Sequence, residues 1–310
     1  MANKVVSFIV KLPPVDFLIK ASKRIVLPGF EGLSVYEVAH FFIEGLTEGT
    51  LTMRASAVSF NFFLTIFPSI IFIFTLIPYI PIDNFQEKLL DLMKNFMPHN
   101  AYEATEETIE DIVTNQRGGL LSIGFLSALY FSTSGFNALI TAFNNTYHQV
   151  ESRTAFQQRL ISILLVFISI LLITTAIALI LISEIILNGI FADGGFAFYL
   201  IQIGRWVIVF ALFYFLIAFT YYLAPSAKVR WRFASAGSMF ATILSIITSL
   251  GFAYYVNNFG NYNKLYGSIG TLIVILLWLY FNSLVLLIGF DLNASIHKAK
   301  HDKHSRTNIG

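Results

Sequence analysis

Residues Leu160 to Leu187 read LISILLVFISILLITTAIALILISEIIL, twenty-eight residues with one charged side chain, Glu184. A helix of about 20 apolar residues, rising about 1.5 Å per residue, crosses the roughly 30 Å hydrocarbon layer of a bilayer. The run is apolar all round and has no polar face to set in water, so it predicts a membrane span. Working outward, Ala55 to Tyr79, Gly118 to Phe143, Trp206 to Leu223, Phe233 to Tyr254 and Gly267 to Leu292 have the same character. The predicted fold is therefore all-α, a polytopic membrane bundle of six transmembrane helices.

Composition agrees. Of 310 residues 56% are hydrophobic, 16% aromatic and only 12% charged, against about 25% charged in a soluble domain. Mean hydropathy is +0.71. One membrane domain, residues 55–292, is expected between an N-terminal segment 1–54 and a basic tail 293–310. Cysteine is absent, which removes disulfides, thiolate metal ligands and cysteine nucleophiles together. The apolar run Val5 to Val10, between Lys4 and Lys11, is too short for a signal-peptide core, so the first span is expected to direct insertion.

Orientation follows from Lys and Arg, which concentrate in cytoplasmic segments. Counted over alternate loops, fifteen fall on the side of the termini, Arg54, Arg153, Lys228, Arg230 and Arg232 among them; five fall on the other, Lys88, Lys94, Arg117, Arg205 and Lys264. Both termini are therefore expected in the cytoplasm. The long loop 82–117 on the far side is acidic. Ile82, Phe85, Leu89, Met93 and Phe96 recur at helical spacing before Pro98, and Tyr102, Thr105, Ile109 and Ile112 recur after it. Two short amphipathic helices capping the bundle are expected there. Before the first span, Ser34 and Glu37 have the spacing of a capping box and open an interfacial helix. The tail from His297 to Arg306 reads as a solvated basic segment.

Ionisable groups at membrane depth are costly and mark function. Glu184, Arg205 and Asp291 all fall near span ends, where long side chains reach the interface. Buried polarity is neutral instead: Asn61 in span one, Ser132, Thr133, Ser134 and Asn137 in span two, Asn282 in span six. Such groups either bond neighbouring helices together or line a cavity for a neutral or amphiphilic ligand. Pro68, mid-span, deprives the Leu64 carbonyl of its partner and should bend the first helix. Gly237, Ala241, Ser245 and Ser249 recur every fourth residue in span five, a flat stripe for close helix packing.

Hydrolytic chemistry finds no footing in these residues. His40, His99, His148, His297, His301 and His304 lie outside the spans, and no H-E-x-x-H, P-loop or G-x-S-x-G motif occurs. No catalytic residue, metal site or cofactor is expected, nor a nucleic-acid partner.

Four stretches resemble the YihY or BrkB family of bacterial inner-membrane proteins, also labelled ribonuclease BN-like. They are Ala55 to Pro68 (ASAVSFNFFLTIFP), Ser132 to Tyr147 (STSGFNALITAFNNTY), Pro225 to Trp231, and a C-terminal block. That block comprises Asn261, Tyr262, Leu265 to Ser268, Leu277 to Tyr280 and GFDLNA from Gly289 to Ala294. Where the family has Glu in that last motif this chain has Asp291, which keeps the charge on a shorter arm. The resemblance, running from Val35 to Ala294, implies a six-helix inner-membrane protein serving the cell envelope. Joined to the residues above, it leads to an expected carrier of an amphiphilic, lipid-like molecule, with Asn61, Pro68, Ser134, Asn137, Tyr266, Asn282 and Asp291 on the substrate pathway. Two alternatives stay open. One is a non-transporting scaffold that binds a second copy or an envelope protein through the small-residue face of span five; the other is a membrane ribonuclease, which the lack of metal ligands disfavours.

Overall fold

The computed structural model describes residues 22–26, 30, 32–47, 50–79, 90, 110–112, 114–146, 153–190, 196–226, 233–259 and 268–307. Among them are seven long helices and no strand: α1 (Val35–Thr47), α2 (Leu51–Leu76), α3 (Gly118–Thr146), α4 (Ala155–Ile190), α5 (Phe196–Leu223), α6 (Ala236–Phe259) and α7 (Ser268–Thr307). A 3₁₀ turn, Ile77–Tyr79, extends α2. Six helices, α2 to α7, are long and apolar enough to cross a membrane.

Helix starts are set by local hydrogen bonding. Glu37 N–H donates to Ser34 Oγ at 3.2 Å and Glu37 Oε2 accepts from Ser34 N–H at 2.8 Å, closing the capping box that starts α1. Thr154 and Gln157 make the same reciprocal pair at the start of α4, and Ser238 N–H donates to Ser235 Oγ at the start of α6. Within the helices, Ser and Thr hydroxyls bond back to the preceding turn, as Ser162 does to Gln158 O, Ser169 to Leu165 O and Thr220 to Leu216 O. That back-bonding satisfies them in a medium without water. Large apolar side chains such as Leu171, Ile177, Leu181, Val207 and Leu250 are exposed, as a surface meeting lipid requires.

The chain forms two compact units. One comprises residues 1–58 and 136–310, the other 59–135. In the larger unit Phe143 stacks on Phe290 with ring centroids 4.1 Å apart, and Tyr221 meets both edge-on. The Tyr221 hydroxyl donates to Leu286 O at 2.6 Å. Beside them α6 and α7 come into backbone contact. A Cβ on Gly237 would stand 2.1 Å from Gly289 O, and one on Gly289 would stand 2.6 Å from Ala241 Cβ. In the smaller unit Gly124 leaves room for the Phe72 backbone and Gly135 for the Phe62 ring.

Several boundaries differ from those expected. α7 does not stop at Leu292: Asn293, Ala294, Ser295, Ile296 and Ala299 are buried on its continuation. The reason is α1, whose Val38, with Leu33, packs against Leu292, Ile296 and Ala299. The first half of the basic tail is thus a docking surface rather than a solvated end, and the helix opened by Ser34 lies on protein. α5 begins at Phe196, ten residues earlier than expected, which puts Arg205 inside the helix rather than at its mouth. Pro68 is carried within α2, which runs unbroken to Leu76. Most of the expected cap 82–117 lies outside the described residues.

Candidate functional site

At the end of the larger unit where α2 starts and α3 and α7 pass, three polar side chains from three helices meet. Arg54 donates from Nη1 to Ala142 O at 3.0 Å and to Thr146 Oγ1 at 2.6 Å. Its Nη2 reaches Asp291 Oδ2 at 3.3 Å. Thr146 Oγ1 in turn donates to Asp291 Oδ1 at 2.7 Å. Both charged side chains are buried, at 9% and 5% exposure. Ala142 and Thr146 lie in the last turns of α3, so Arg54 also answers carbonyl charge at a helix C-terminus. Removing either member of such a pair strands the other in a low-dielectric interior.

The same end of the unit is braced by further polar contacts. Asn293 Oδ1 accepts from Gly237 N–H at 2.8 Å and its Nδ2 donates to Ser235 Oγ at 2.8 Å, fixing α7 to the start of α6. Asn144 Oδ1 accepts from Ser226 N–H at 2.9 Å. Arg153 donates to Ala224 O at 3.0 Å and to Pro225 O, closing the C-terminus of α5. Residues from three of the stretches that carry the family resemblance, at 132–147, 225–231 and 289–294, therefore converge here.

The residues singled out in the sequence fall as follows. Asp291 is at the centre of this cluster. Asn282 donates to Trp278 O at 2.9 Å and its Oδ1 lies 3.5 Å from Ser249 Oγ, which also takes the Trp278 indole N–H at 3.3 Å. Asn137 is half-buried on α3. Asn61, Pro68 and Ser134 belong to the smaller unit, where the Ser134 hydroxyl bonds to Tyr130 O at 2.9 Å. Tyr266 lies outside the described residues. Gly237, Ala241 and Ser245 are set within the larger unit, and the last two are fully buried. The face proposed for a scaffolding partner is thus covered by the chain's own α7.

Sequence reading missed Arg54, Thr146, Asn144, Arg153 and Asn293. Arg54 was counted only as a charge favouring the cytoplasm. Its signal is that it stands one residue before an apolar run at the same membrane end as Asp291, with opposite sign. Nothing in the local sequence marks Thr146.

The smaller unit holds a second feature. A cleft of about 330 Å³ is lined by Ile70, Ile71, Phe74, Thr75, Ile112 and Leu120. The Thr75 hydroxyl is turned to its own helix, donating to Ile71 O at 2.8 Å, so the lining is apolar throughout. Near it, Arg117 bonds to Asp111 at 2.5 Å and holds that carboxyl below its ordinary range. Among the described residues no three His, Asp or Glu side chains gather as a metal site.

Six spanning helices with a buried ion pair joining the first, second and last define a polytopic α-helical membrane protein. The chain belongs to the BrkB family: the family model described as virulence factor BrkB matches residues 42–308. A Bacillus subtilis protein named as ribonuclease-like protein YfkH is 32% identical over 250 residues, covering 80% of this chain and 90% of that one. A UPF0761 membrane protein of Aggregatibacter aphrophilus is 24% identical over 265 residues, covering 84% and 92%. Another, from Mannheimia succiniciproducens, is 25% identical over 267 residues, covering 84% and 90%. No solved structure matches.

Proposed function

We propose that this protein carries an amphiphilic, lipid-like molecule across the bacterial plasma membrane in the service of the cell envelope. The observation that carries this reading is the apolar cleft of about 330 Å³ in the smaller unit. Its size falls within the range of small-molecule sites, of which about 300 Å³ is the lower end. Without a polar lining group it suits a hydrocarbon chain and offers nothing to an ion. Neutral polar side chains on the spans, Asn61, Ser134, Asn137 and Asn282, suit the passage of a polar headgroup without a carboxylate relay. Asp291 acts through Arg54 and Thr146, holding α2, α3 and α7 together at one end. Both termini face the cytoplasm in this reading, supported by the fifteen of twenty Lys and Arg residues that fall on their side.

The ribonuclease-like name belongs to the Bacillus relative. Metal-assisted RNA cleavage needs converging ligands and a basic groove, and the residues described here favour the carrier instead.

Reconstitution tests the proposal. Purified protein in vesicles of phosphatidylethanolamine and phosphatidylglycerol, with a trace of headgroup-labelled fluorescent phospholipid, is exposed to a membrane-impermeant quencher. Carrier activity makes the inner-leaflet probe accessible faster than in protein-free vesicles, and Leu120→Trp, which fills the cleft, slows it. Equal rates with and without protein contradict the proposal for phospholipid substrates.

A further inference from the structure

Arg205 is a largely buried arginine whose guanidinium is only partly answered. Its side chain is 12% exposed, inside α5 and facing α4. Among the described residues Nη1 meets Ser183 Oγ at 3.4 Å and Glu184 Oε2 at 4.0 Å, and the guanidinium lies 5.3 Å from the centroid of the Trp206 ring. Nε is buried and has no hydrogen-bond partner among the described residues. Glu184 is 63% exposed, so its carboxylate stands largely in the surroundings and answers the guanidinium weakly. A guanidinium so placed lacks the close, bidentate anion it is shaped to take.

Depth indicates what that anion is. The helix between Arg205 and Leu223 rises about 27 Å at 1.5 Å per residue. Leu223 marks one membrane end, because Arg153, just before α4, donates to its carbonyl and to that of Ala224. Arg205 therefore stands about one hydrocarbon thickness away, at the level of the headgroups of the opposite leaflet. The neighbouring aromatics agree: Trp206 and Tyr199 are 56% and 63% exposed, in the manner of an interfacial belt.

We propose that Arg205, between α4 and α5, binds the phosphate of a membrane phospholipid in that leaflet, whose acyl chains lie along the exposed apolar side chains of Val207 and Ile182. Ser183 adds a hydroxyl, and the exposed Glu184 swings aside as the phosphate docks, setting a limit on affinity. The site does not depend on transport. A lipid held here is resident, so this proposal and the carrier reading stand or fall separately.

Native mass spectrometry of the full chain in detergent tests it, counting molecules retained after addition of dioleoylphosphatidylglycerol, dioleoylglycerol or inorganic phosphate. Wild type is expected to retain one phosphatidylglycerol that Arg205→Gln loses, with affinity about tenfold lower. Dioleoylglycerol, with the same chains and no phosphate, is expected to show no such difference. Glu184→Gln leaves Arg205 in place and is expected to raise retention severalfold, which keeps the test valid should Arg205→Gln fold poorly. Equal phosphatidylglycerol retention in wild type and either variant overturns the proposal. So does equal retention of dioleoylglycerol, or full displacement of the lipid by millimolar inorganic phosphate, which would make the site one for the free ion.

Discussion

Arg54 Nη2 lies 3.3 Å from Asp291 Oδ2 with both side chains buried, tying the start of the first spanning helix to the last. Thr146 bridges the two, accepting from Arg54 and donating to Asp291. A buried pair of this kind costs as much to desolvate as it returns, so its worth appears only when one partner is missing. Arg54→Gln or Asp291→Asn is each expected to destabilise the folded protein by about 3–5 kcal/mol. The double variant Arg54→Gln, Asp291→Asn should lose much less than the sum of the two. Thermal unfolding of the three variants in one detergent closes the cycle; additive losses would mean the two side chains do not act as a pair.

Glycines on α6 and α7 divide into two kinds. A Cβ on Gly237 or Gly289 would overlap the facing helix, whereas one on Gly251 meets nothing within 4 Å. Gly237→Ala and Gly289→Ala should each cost about 1–3 kcal/mol through overpacking. Gly251→Ala should be neutral, or stabilising by up to about 1 kcal/mol through helix propensity. The melting temperatures of these single-methyl variants check the ranking.

The capping box of α1 and its docking on α7 form one local unit. Ser34→Ala removes the hydroxyl that takes the Glu37 N–H and should cost about 1 kcal/mol. Hydrogen exchange should quicken over Val35–Thr47 while α4 and α5 keep wild-type protection. Val38→Asp, which buries a charge against Ile296 and Ala299, should release α1 altogether and expose it to limited proteolysis.

The Asp111 carboxyl titrates below its ordinary range because the Arg117 side chain bonds to it, with Asn115 adding a second bond. A depressed carboxylate contributes stability above its unfolded pKa and loses it as pH falls through the folded value. The Asp111–Arg117 contact should therefore hold at neutral pH and open only below about pH 3.8, the ordinary carboxylate value. Because the pair is exposed, its loss should register in local exchange of residues 110–117 and leave the melting temperature unmoved.

The spans were legible because hydrocarbon imposes a length and a composition that no other environment does. All six expected runs lie within or overlap α2 to α7, whose ends extend beyond them wherever polar residues still find partners, as at Arg54 and Asn293. The charge at Asp291 was visible, but its partner was hidden by a rule that treats every Arg near a span end as solvated. Thr146 and Asn144 could not be read at all: they act through partners 145 and 82 residues away in sequence, and their local surroundings resemble any helix end. The stripe from Gly237 was visible as a packing face, while its occupant, Gly289, depended on which helix folds against it. Asn61, Ser134 and Asn137, expected on a substrate pathway, are individually polar, and no periodicity joins them into a site.

The carrier reading is tested most directly by lipid and metabolite profiling of a deletion strain beside strains complemented with wild type or with Leu120→Trp, with the plasma membrane, outer envelope fractions and medium separated. The account predicts an amphiphile that accumulates in the plasma membrane of the deletion, returns to its normal distribution with wild type, and stays trapped with the cleft-filling variant. Identical distributions in all three strains would contradict it.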